Sequence, residues 1–142
     1  MLGGVLIPFE KGLLGHSDAD VVCHALCDAM LGAIAAGDIG QLFPDSDPRF
    51  AGISGLSLLT RVSQVAKKAG WEVENIDLVI ITEEPRVGPR VMEMRRALAE
   101  AAETGVERVS VKGKTTEGMG FTGRHEGIAC HTVCTLRRTG GG

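Results

Sequence analysis

The sequence predicts an α/β (α+β) fold, a sandwich in which a sheet carries helices on one face. Two observations support this fold class. Short apolar runs typical of strands alternate along the chain with longer segments in which apolar residues recur at helical spacing. The composition, 44% hydrophobic and 23% charged residues, is that of a globular protein. In a chain of 142 residues we expect one domain, over residues 1–137, and a flexible tail over residues 138–142.

The amino-terminal half is expected to contain one short strand and two helices. The apolar run at residues 5–7 predicts the strand. Apolar residues then recur at steps of three and four, which predicts a helix that starts near Asp20 and ends at Gly37. Either Asp18 or Asp20 can cap the first turn of this helix with its carboxylate. The same periodicity predicts a second helix over residues 54–69.

The carboxyl-terminal half is expected to contain three strands and one helix. The β-branched run at residues 78–81 predicts a strand that is buried on both faces. Pro89 is well placed to open a third helix, which continues to about Glu103. Residues 109–111 predict the next strand, and the alternating pattern over residues 128–136 predicts the last one.

The charge and the aromatic content argue against several classes of protein. The net charge is -3, and the chain has four Phe, one Trp and no Tyr, so neither a basic surface nor a stacking platform for nucleic acid is expected. No apolar run has the length of a membrane span, and no signal peptide follows Met1. We therefore expect a cytoplasmic protein that binds neither nucleic acid nor membrane.

The four cysteines form two pairs with the same spacing. Cys23 and Cys27 lie in the first predicted helix, and Cys130 and Cys134 lie in the last predicted strand. A structural zinc site is conceivable, but such sites more often use closer spacings in loops. We expect small buried thiols in a reducing compartment.

A first polar cluster surrounds the start of the first helix. His24 follows Asp20 by four residues, so the two side chains share one helix face. A neutral imidazole at this place can bind zinc, although a lone helical histidine is more often structural. His16 and Ser17 precede the helix, where backbone N–H groups point outward and favour a phosphate.

A second polar cluster follows the first helix. On composition alone it reads as a solvated turn, because Asp, Ser, Gly and Pro are ordinary turn residues. The functional interpretation is a rim of carboxylates and backbone donors that recognises a polyol. The residues of this cluster are Asp38, Ile39, Gly40, Phe43, Pro44, Asp45, Ser46 and Asp47.

A third cluster, residues 112–124, is rich in Lys, Thr and Gly. Lys and Thr side chains donate to phosphoryl oxygens, and glycine allows backbone N–H groups to approach them. Glu117 could hold Mg²⁺ or Mn²⁺ against the same phosphates. The segment is not a Walker A loop, because the spacing of that motif is absent.

Taken together, the three clusters resemble the 2-C-methyl-D-erythritol 2,4-cyclodiphosphate synthase family of the non-mevalonate isoprenoid pathway. The matching segments are residues 7–20, 37–48, 114–117 and 120–130, in the order of the family. The resemblance implies a ferredoxin-like sandwich, a homotrimer and active sites between adjacent subunits. It also implies a phosphorus–oxygen lyase that closes 4-diphosphocytidyl-2-C-methyl-D-erythritol 2-phosphate into the 2,4-cyclodiphosphate and releases CMP.

The resemblance also implies a role for individual residues. His16 and Thr115 match transition-state stabilisers, His24 matches a ligand of zinc or a similar divalent ion, and Glu117 matches a ligand of Mg²⁺ or Mn²⁺. An isoprenoid diphosphate could meet Arg124 in a central cavity of the trimer. The positions that match substrate contacts are His16, Ser17, Asp38, Ile39, Gly40, Phe43, Pro44, Asp45, Ser46, Asp47, Thr82, Pro85, Arg86, Val87, Gly88, Lys114, Thr115, Thr116, Glu117, Phe121 and Arg124.

One part of the family pattern is missing. The other zinc ligands of the family come from an Asp-x-His motif on a first strand, and this sequence contains no Asp-x-His. Catalytic zinc takes three protein ligands, which one histidine cannot replace. We expect these residues to bind zinc poorly, either because the chain is N-terminally incomplete or because it is a short form with weakened activity.

Two rival interpretations follow from the same residues. The chain could be a non-catalytic trimer that binds a nucleotide or an isoprenoid diphosphate. It could also be half of a bifunctional protein fused to a cytidylyltransferase. An assay for the release of CMP separates an enzyme from a binding protein.

Overall fold

The computed structural model describes residues 1–7 and 20–139. Its three longer helices and its three described strands lie in segments that the apolar periodicity predicts. Two short 3-10 turns, Gly88–Arg90 and Val106–Arg108, flank the fourth helix. In chain order the elements are α1 (Val21–Ala33), α2 (Ile39–Leu42), α3 (Gly55–Lys68), β1 (Trp71–Ile81), α4 (Val91–Ala101), β2 (Val109–Lys114), α5 (Gly120–Gly123) and β3 (Ala129–Arg138).

The described strands form a single sheet with the order β2-β1-β3. The central strand β1 runs parallel to β2 and antiparallel to β3. Because parallel neighbours end at the same edge of a sheet, the last residue of β1, Ile81, pairs with the last residue of β2, Lys114. The loops that follow these two strands therefore start side by side.

The core lies between one face of this sheet and the helices α1, α3 and α4. On β1, the alternate residues Ile76, Leu78 and Ile80 are fully buried, as expected for a strand with one covered face. The expected burial on both faces is wrong, because Val79 on the opposite face is only half-buried. On β3, Val133 faces the same way and is 70% exposed.

The first helix begins at its predicted cap. The side chain of Asp20 accepts hydrogen bonds from the backbone N–H groups of Val22 and Cys23, so Asp20 rather than Asp18 is the described cap. The helix ends four residues before Gly37, at Ala33. Ala35 takes the left-handed conformation there, with φ 54°, and the chain turns without a glycine.

The first predicted strand is not a strand in the structure. Residues 2–5 form a tight turn in which Leu2 and Val5 exchange two backbone hydrogen bonds of 2.9 Å. Gly3 and Gly4 occupy its middle with φ 57° and 77°, values that favour glycine. The apolar run was misleading because Leu2 packs into the core while Leu6 is 70% exposed.

The three described strands are all longer than the sequence indicated, β2 by the three residues 112–114. β1 starts at Trp71, well before residue 78, because its outer face alternates with polar residues that hid the pattern. β3 reaches Arg138, whose guanidinium lies 4.5 Å from the centroid of the Trp71 ring. Arg138, which was predicted to belong to the tail, is therefore part of the last strand, and residues 140–142 lie outside the described part. None of the described helices combines the length and the apolarity needed to cross a bilayer.

Candidate functional site

A cleft of about 740 Å³ opens where the parallel strands β1 and β2 end. It brings together the loop after β1 and the end of β2, as the pairing of Ile81 with Lys114 requires. The cleft contains two exposed cations, Arg86 and Lys114, which suit an anionic ligand. The lining residues are Thr82, Glu83, Glu84, Pro85, Arg86, Val87, Gly88, Pro89, Gly113, Lys114, Thr115 and His125.

The loop after β1 is fixed by internal hydrogen bonds. The backbone N–H of Thr82 donates to the carbonyl of Lys114 at 3.0 Å, and the Thr82 hydroxyl donates to the carbonyl of Glu84 at 2.6 Å. The side chain of Val87 is only 3% exposed and packs into the core. At Thr82 and Val87 the side chains therefore serve the loop itself rather than a ligand.

The donor-rich loop after β2 turns sharply at residues 116–119. The N–H of Met119 donates to the carbonyl of Thr116 at 3.1 Å, and Glu117 and Gly118 have φ 55° and 81°. Two successive positive φ values are those of a type I′ turn. Glycine adopts this conformation freely, whereas at Glu117 it costs about 1–2 kcal/mol. The Glu117 side chain is exposed.

Glu83 holds this turn from the neighbouring loop, and no pattern in the sequence indicates this role. Its Oε1 accepts hydrogen bonds from the N–H of Thr116 at 3.0 Å, from the Thr116 hydroxyl at 3.3 Å and from the N–H of Gly118 at 3.3 Å. These donors, the Gly118 N–H first among them, hold the pKa of Glu83 below its usual range.

A close approach of backbones supports the turn from the other side. A Cβ placed on Gly123 would overlap the backbone carbonyl group of Gly118. Only glycine fits here, because backbone atoms cannot move aside as the end of a side chain can. The short helix α5 and the turn at residues 116–119 therefore form one packed unit.

A second pocket, of about 450 Å³, lies at the side of α1. The half-buried His24 lines it, together with residues of the second polar cluster. Among the described residues, none lines both this pocket and the cleft at the ends of β1 and β2. Its lining residues are His24, Ile39, Gly40, Phe43, Pro44, Asp45, Phe50, Gly52, Ile53 and Leu58.

Aromatic contacts shape this second pocket. The rings of Phe43 and Phe50 meet edge to face, with centroids 5.1 Å apart. Phe50 is 7% exposed, and the guanidinium of Arg61 lies 5.5 Å from its ring centroid. Phe50 was missed from the sequence. An apolar aromatic residue at the end of a polar loop was the available signal.

The carboxylates of the second cluster divide between structural and pocket positions. Asp38 caps α2 by accepting from the N–H of Gln41 at 2.9 Å. Asp47 holds the guanidinium of Arg49 at 2.7 Å, and these hydrogen bonds lower the pKa of Asp47. Of the three predicted aspartates only Asp45 lines the pocket. Ser46 also lies in this loop but does not line the pocket.

The residues around His24 do not fit a complete zinc site. Within residues 1–7 and 20–139, no group of three His, Cys, Asp or Glu side chains is arranged to hold a metal ion. Asp20, on the same helix face, is 1% exposed, and its two carboxylate oxygens accept hydrogen bonds from the backbone N–H groups of Gly3 and Gly4. Burial raises the pKa of the Cys27 thiol to about 12, which disfavours the thiolate that zinc requires.

The remaining predicted residues differ in where they lie, and two of them, Phe121 and Arg124, line neither pocket. Phe121 is 50% exposed, and the guanidinium of Arg124 pairs with Glu126 at 2.8 Å. His16 and Ser17 lie outside the described residues. Thr116 and Glu117 sit next to the cleft on the turn, and Thr115 lines the cleft itself.

The sequence of this chain is similar to that of known proteins over nearly its whole length. A family model described as the YgbB family matches residues 1–137. The chain is 53% identical over 135 residues to the 2-C-methyl-D-erythritol 2,4-cyclodiphosphate synthase of Azotobacter vinelandii, covering 95% of this chain and 86% of the relative. It is 51% identical over 138 residues to the synthase of Syntrophomonas wolfei, covering 97% and 88%.

Solved structures share the fold. A 2C-methyl-D-erythritol-2,4-cyclodiphosphate synthase in a CDP-bound form has a TM-score of 0.86 and 33% identity, over 96% of this chain and 89% of that one. The bifunctional IspDF of Campylobacter jejuni has a TM-score of 0.90 and 37% identity. This chain matches over 97% of its own length and spans 37% of that bifunctional protein.

Proposed function

Because this chain belongs to the YgbB family, we propose that it is a 2-C-methyl-D-erythritol 2,4-cyclodiphosphate synthase, a phosphorus–oxygen lyase of non-mevalonate isoprenoid biosynthesis. The substrate is 4-diphosphocytidyl-2-C-methyl-D-erythritol 2-phosphate, and the products are the 2,4-cyclodiphosphate and CMP. The observation that carries the proposal is the identity of about half of all aligned residues to synthases of this name, along nearly the whole chain.

The reaction needs no nucleophilic side chain. An oxygen of the 2-phosphate forms a bond to the β-phosphorus, and the bond from that phosphorus to the CMP oxygen breaks. Two anionic groups must approach each other, so positioning and charge neutralisation supply most of the rate enhancement. The cleft at the ends of β1 and β2 offers the required groups.

Within that cleft we assign the cytidine diphosphate to the loop after β1. The exposed Arg86 and Lys114 neutralise phosphoryl charge, and the backbone of residues 85–88 faces the nucleoside. The N–H of Glu117 donates to the Thr115 hydroxyl at 3.3 Å, so that hydroxyl can direct its own proton to a phosphoryl oxygen. A CDP-bound relative of the same fold supports this assignment.

We assign a divalent ion, Mg²⁺ or Mn²⁺, to Glu117. Mg²⁺ and Mn²⁺ are commonly held by one or two carboxylates together with substrate phosphates, and Glu117 is an exposed carboxylate beside phosphate donors. When bound, such an ion neutralises charge that develops on the diphosphate. The described residues around His24 do not complete a zinc site, so zinc is assigned no step in this mechanism.

We assign the methylerythritol phosphate to the pocket beside α1, where Asp45 and backbone donors near Gly40 can meet its hydroxyl groups. In the part of the chain that the structure describes, this pocket and the cleft at the ends of β1 and β2 share no lining residue. A homotrimer of ferredoxin-like subunits would bring the two halves together across each subunit boundary. The uncovered sheet face, with Val133 70% exposed, supports such an assembly.

Within this trimer we place Phe121 and Arg124 near the central cavity. Phe121 is 50% exposed and therefore has apolar surface to contribute to an assembly. The guanidinium of Arg124 is exposed and is shared with Glu126. An isoprenoid diphosphate that reaches the cavity would compete with this carboxylate for the guanidinium.

The proposal is tested by incubating the protein with synthetic substrate in the presence of Mg²⁺ or Mn²⁺ and following the release of CMP by chromatography. We expect one CMP for each cyclodiphosphate formed. The Thr115→Ala variant should lose about 10² to 10³ in kcat, the usual cost of one oxyanion donor. Thr104→Ala, at a position that lines neither pocket, is the matched control. Substrate that binds without release of CMP would contradict the proposed function.

A further inference from the structure

Glu83 connects two loops that are far apart in sequence. It follows Thr82 at the end of β1, and its Oε1 receives both backbone N–H groups, Thr116 and Gly118, that flank Glu117. The three residues come together only because β1 and β2 are parallel and end at the same edge. A single carboxylate oxygen thus spans the tip of the donor-rich loop.

The turn that Glu83 holds is one that the chain does not favour by itself. Glu117 has a left-handed backbone with φ 55°, and its side chain is exposed. Within the turn, the N–H of Met119 donates to the carbonyl of Thr116, and the Thr116 hydroxyl donates to the carbonyl of Met119. Neither bond involves the N–H groups of Thr116 and Gly118, which Glu83 accepts. Exposed turns open at a low cost in free energy, so this outside acceptor affects the geometry of the turn.

We propose that Glu83 is a positioning residue of the reaction, which fixes the turn at residues 116–119 so that Thr115 and Glu117 present their side chains to the bound diphosphate. The proposal rests on the proposed function. It adds that the loop after β1 orients the phosphate-binding loop through this carboxylate. Thr116 takes part through its N–H, whereas its hydroxyl donates to the carbonyl of Met119 and lies 3.1 Å from the hydroxyl oxygen of Thr122.

A direct role in substrate binding is the main alternative, since Glu83 also lines the cleft. The two roles predict different kinetics. Loss of a direct contact that is equal in ground and transition states raises KM, whereas loss of orientation lowers kcat. If the carboxylate instead faces the diphosphate directly it repels it, and its removal would then lower KM and leave kcat unchanged.

The test compares Glu83→Ala, Glu83→Gln and the control Glu100→Ala, which removes an exposed acid of α4. Turnover is measured by release of CMP. Hydrogen exchange of the backbone amides of Thr116 and Gly118 is measured in the absence of substrate and metal. For Glu83→Ala we expect kcat to fall about a hundredfold with KM changed by less than about threefold. Exchange of the two amides should accelerate by about tenfold or more.

Rescue by the amide distinguishes positioning from a general loss of structure. The side-chain oxygen that remains in Glu83→Gln can accept the same N–H groups, so this variant should recover kcat to within about tenfold of the wild-type value. Glu100→Ala should match the wild type in every measurement. A Glu83→Ala variant with unchanged kcat, with a higher KM alone, or with unchanged exchange would overturn the proposal. If the wild-type chain releases no CMP, the proposed function fails, and exchange alone decides whether Glu83 holds the turn.

Discussion

Replacement of Asp20 by alanine should destabilise this fold more than loss of an ordinary helix cap. Oδ1 of Asp20 accepts from the N–H groups of Gly3 at 2.9 Å, Val22 at 3.1 Å and Cys23 at 3.0 Å. Oδ2 accepts from the N–H of Gly4 at 2.8 Å and from the Cys23 thiol at 3.2 Å. The carboxylate therefore caps α1 and also fastens the turn at residues 2–5 to it.

The size of the loss follows from these contacts. Removing a capping side chain costs about 1 kcal/mol. Gly3 is buried and Gly4 is half-buried, and each buried N–H left without an acceptor costs about 1–3 kcal/mol. We expect Asp20→Ala to lower the free energy of unfolding by about 3–5 kcal/mol. Asp20→Asn should lie between this variant and the wild type, because its amide oxygen retains the acceptor for the cap.

Urea unfolding at one fixed protein concentration, analysed by linear extrapolation, measures these differences. Ser54→Ala is the matched control, because Ser54 caps α3 through a single exposed hydrogen bond to the N–H of Ser57. That variant should lose about 1 kcal/mol. The reasoning is refuted if Asp20→Ala loses no more free energy than Ser54→Ala.

Three further predictions concern the thiols, the turn and the second pocket. Burial raises the pKa of the Cys27 thiol in the folded chain from 9.0 to about 12, so the unfolded chain loses this proton first as the pH rises. Between these two pH values the free energy of unfolding should therefore fall by about 1.4 kcal/mol per pH unit. The urea midpoint of Cys27→Ala should fall less steeply over the same pH range. Gly123→Ala forces backbone atoms apart at Gly118 and should reduce release of CMP about tenfold or more at nearly unchanged secondary structure by circular dichroism. Phe50→Ala empties a buried ring site and should lower the free energy of unfolding by about 3 kcal/mol in urea, with a higher KM for the substrate if this pocket holds the methylerythritol group.

Most helices could be predicted because their signals are local. The cap at Asp20 and the apolar periodicity are contained within α1, and the boundaries of α3 likewise follow from residues inside it or next to it. The start of β1 could not be predicted in this way. Its outer face carries polar residues such as Glu72 and Asp77, so only the inner half of the pattern is apolar.

The family resemblance indicated the function, and the family model and the relatives confirm that function. The roles assigned to single residues, such as Thr115 and Glu117, stay predictions. Glu83 could not be found from the sequence because its partners lie beyond a whole helix and strand. One of two consecutive acids in a loop after a strand looks like an ordinary surface residue, and only the pairing of β1 with β2 reveals its hydrogen bonds.

The parallel pairing of β1 and β2 also has a kinetic consequence. Parallel neighbours cannot be joined by a hairpin, so the chain must pass through α4 before β2 reaches its place. Contacts between such distant segments form slowly, because the entropy of loop closure must be overcome first. We expect the cleft at the ends of β1 and β2 to be a late product of folding. A chain released before α4 docks would have native helices at its amino-terminal end and no place to bind a nucleotide.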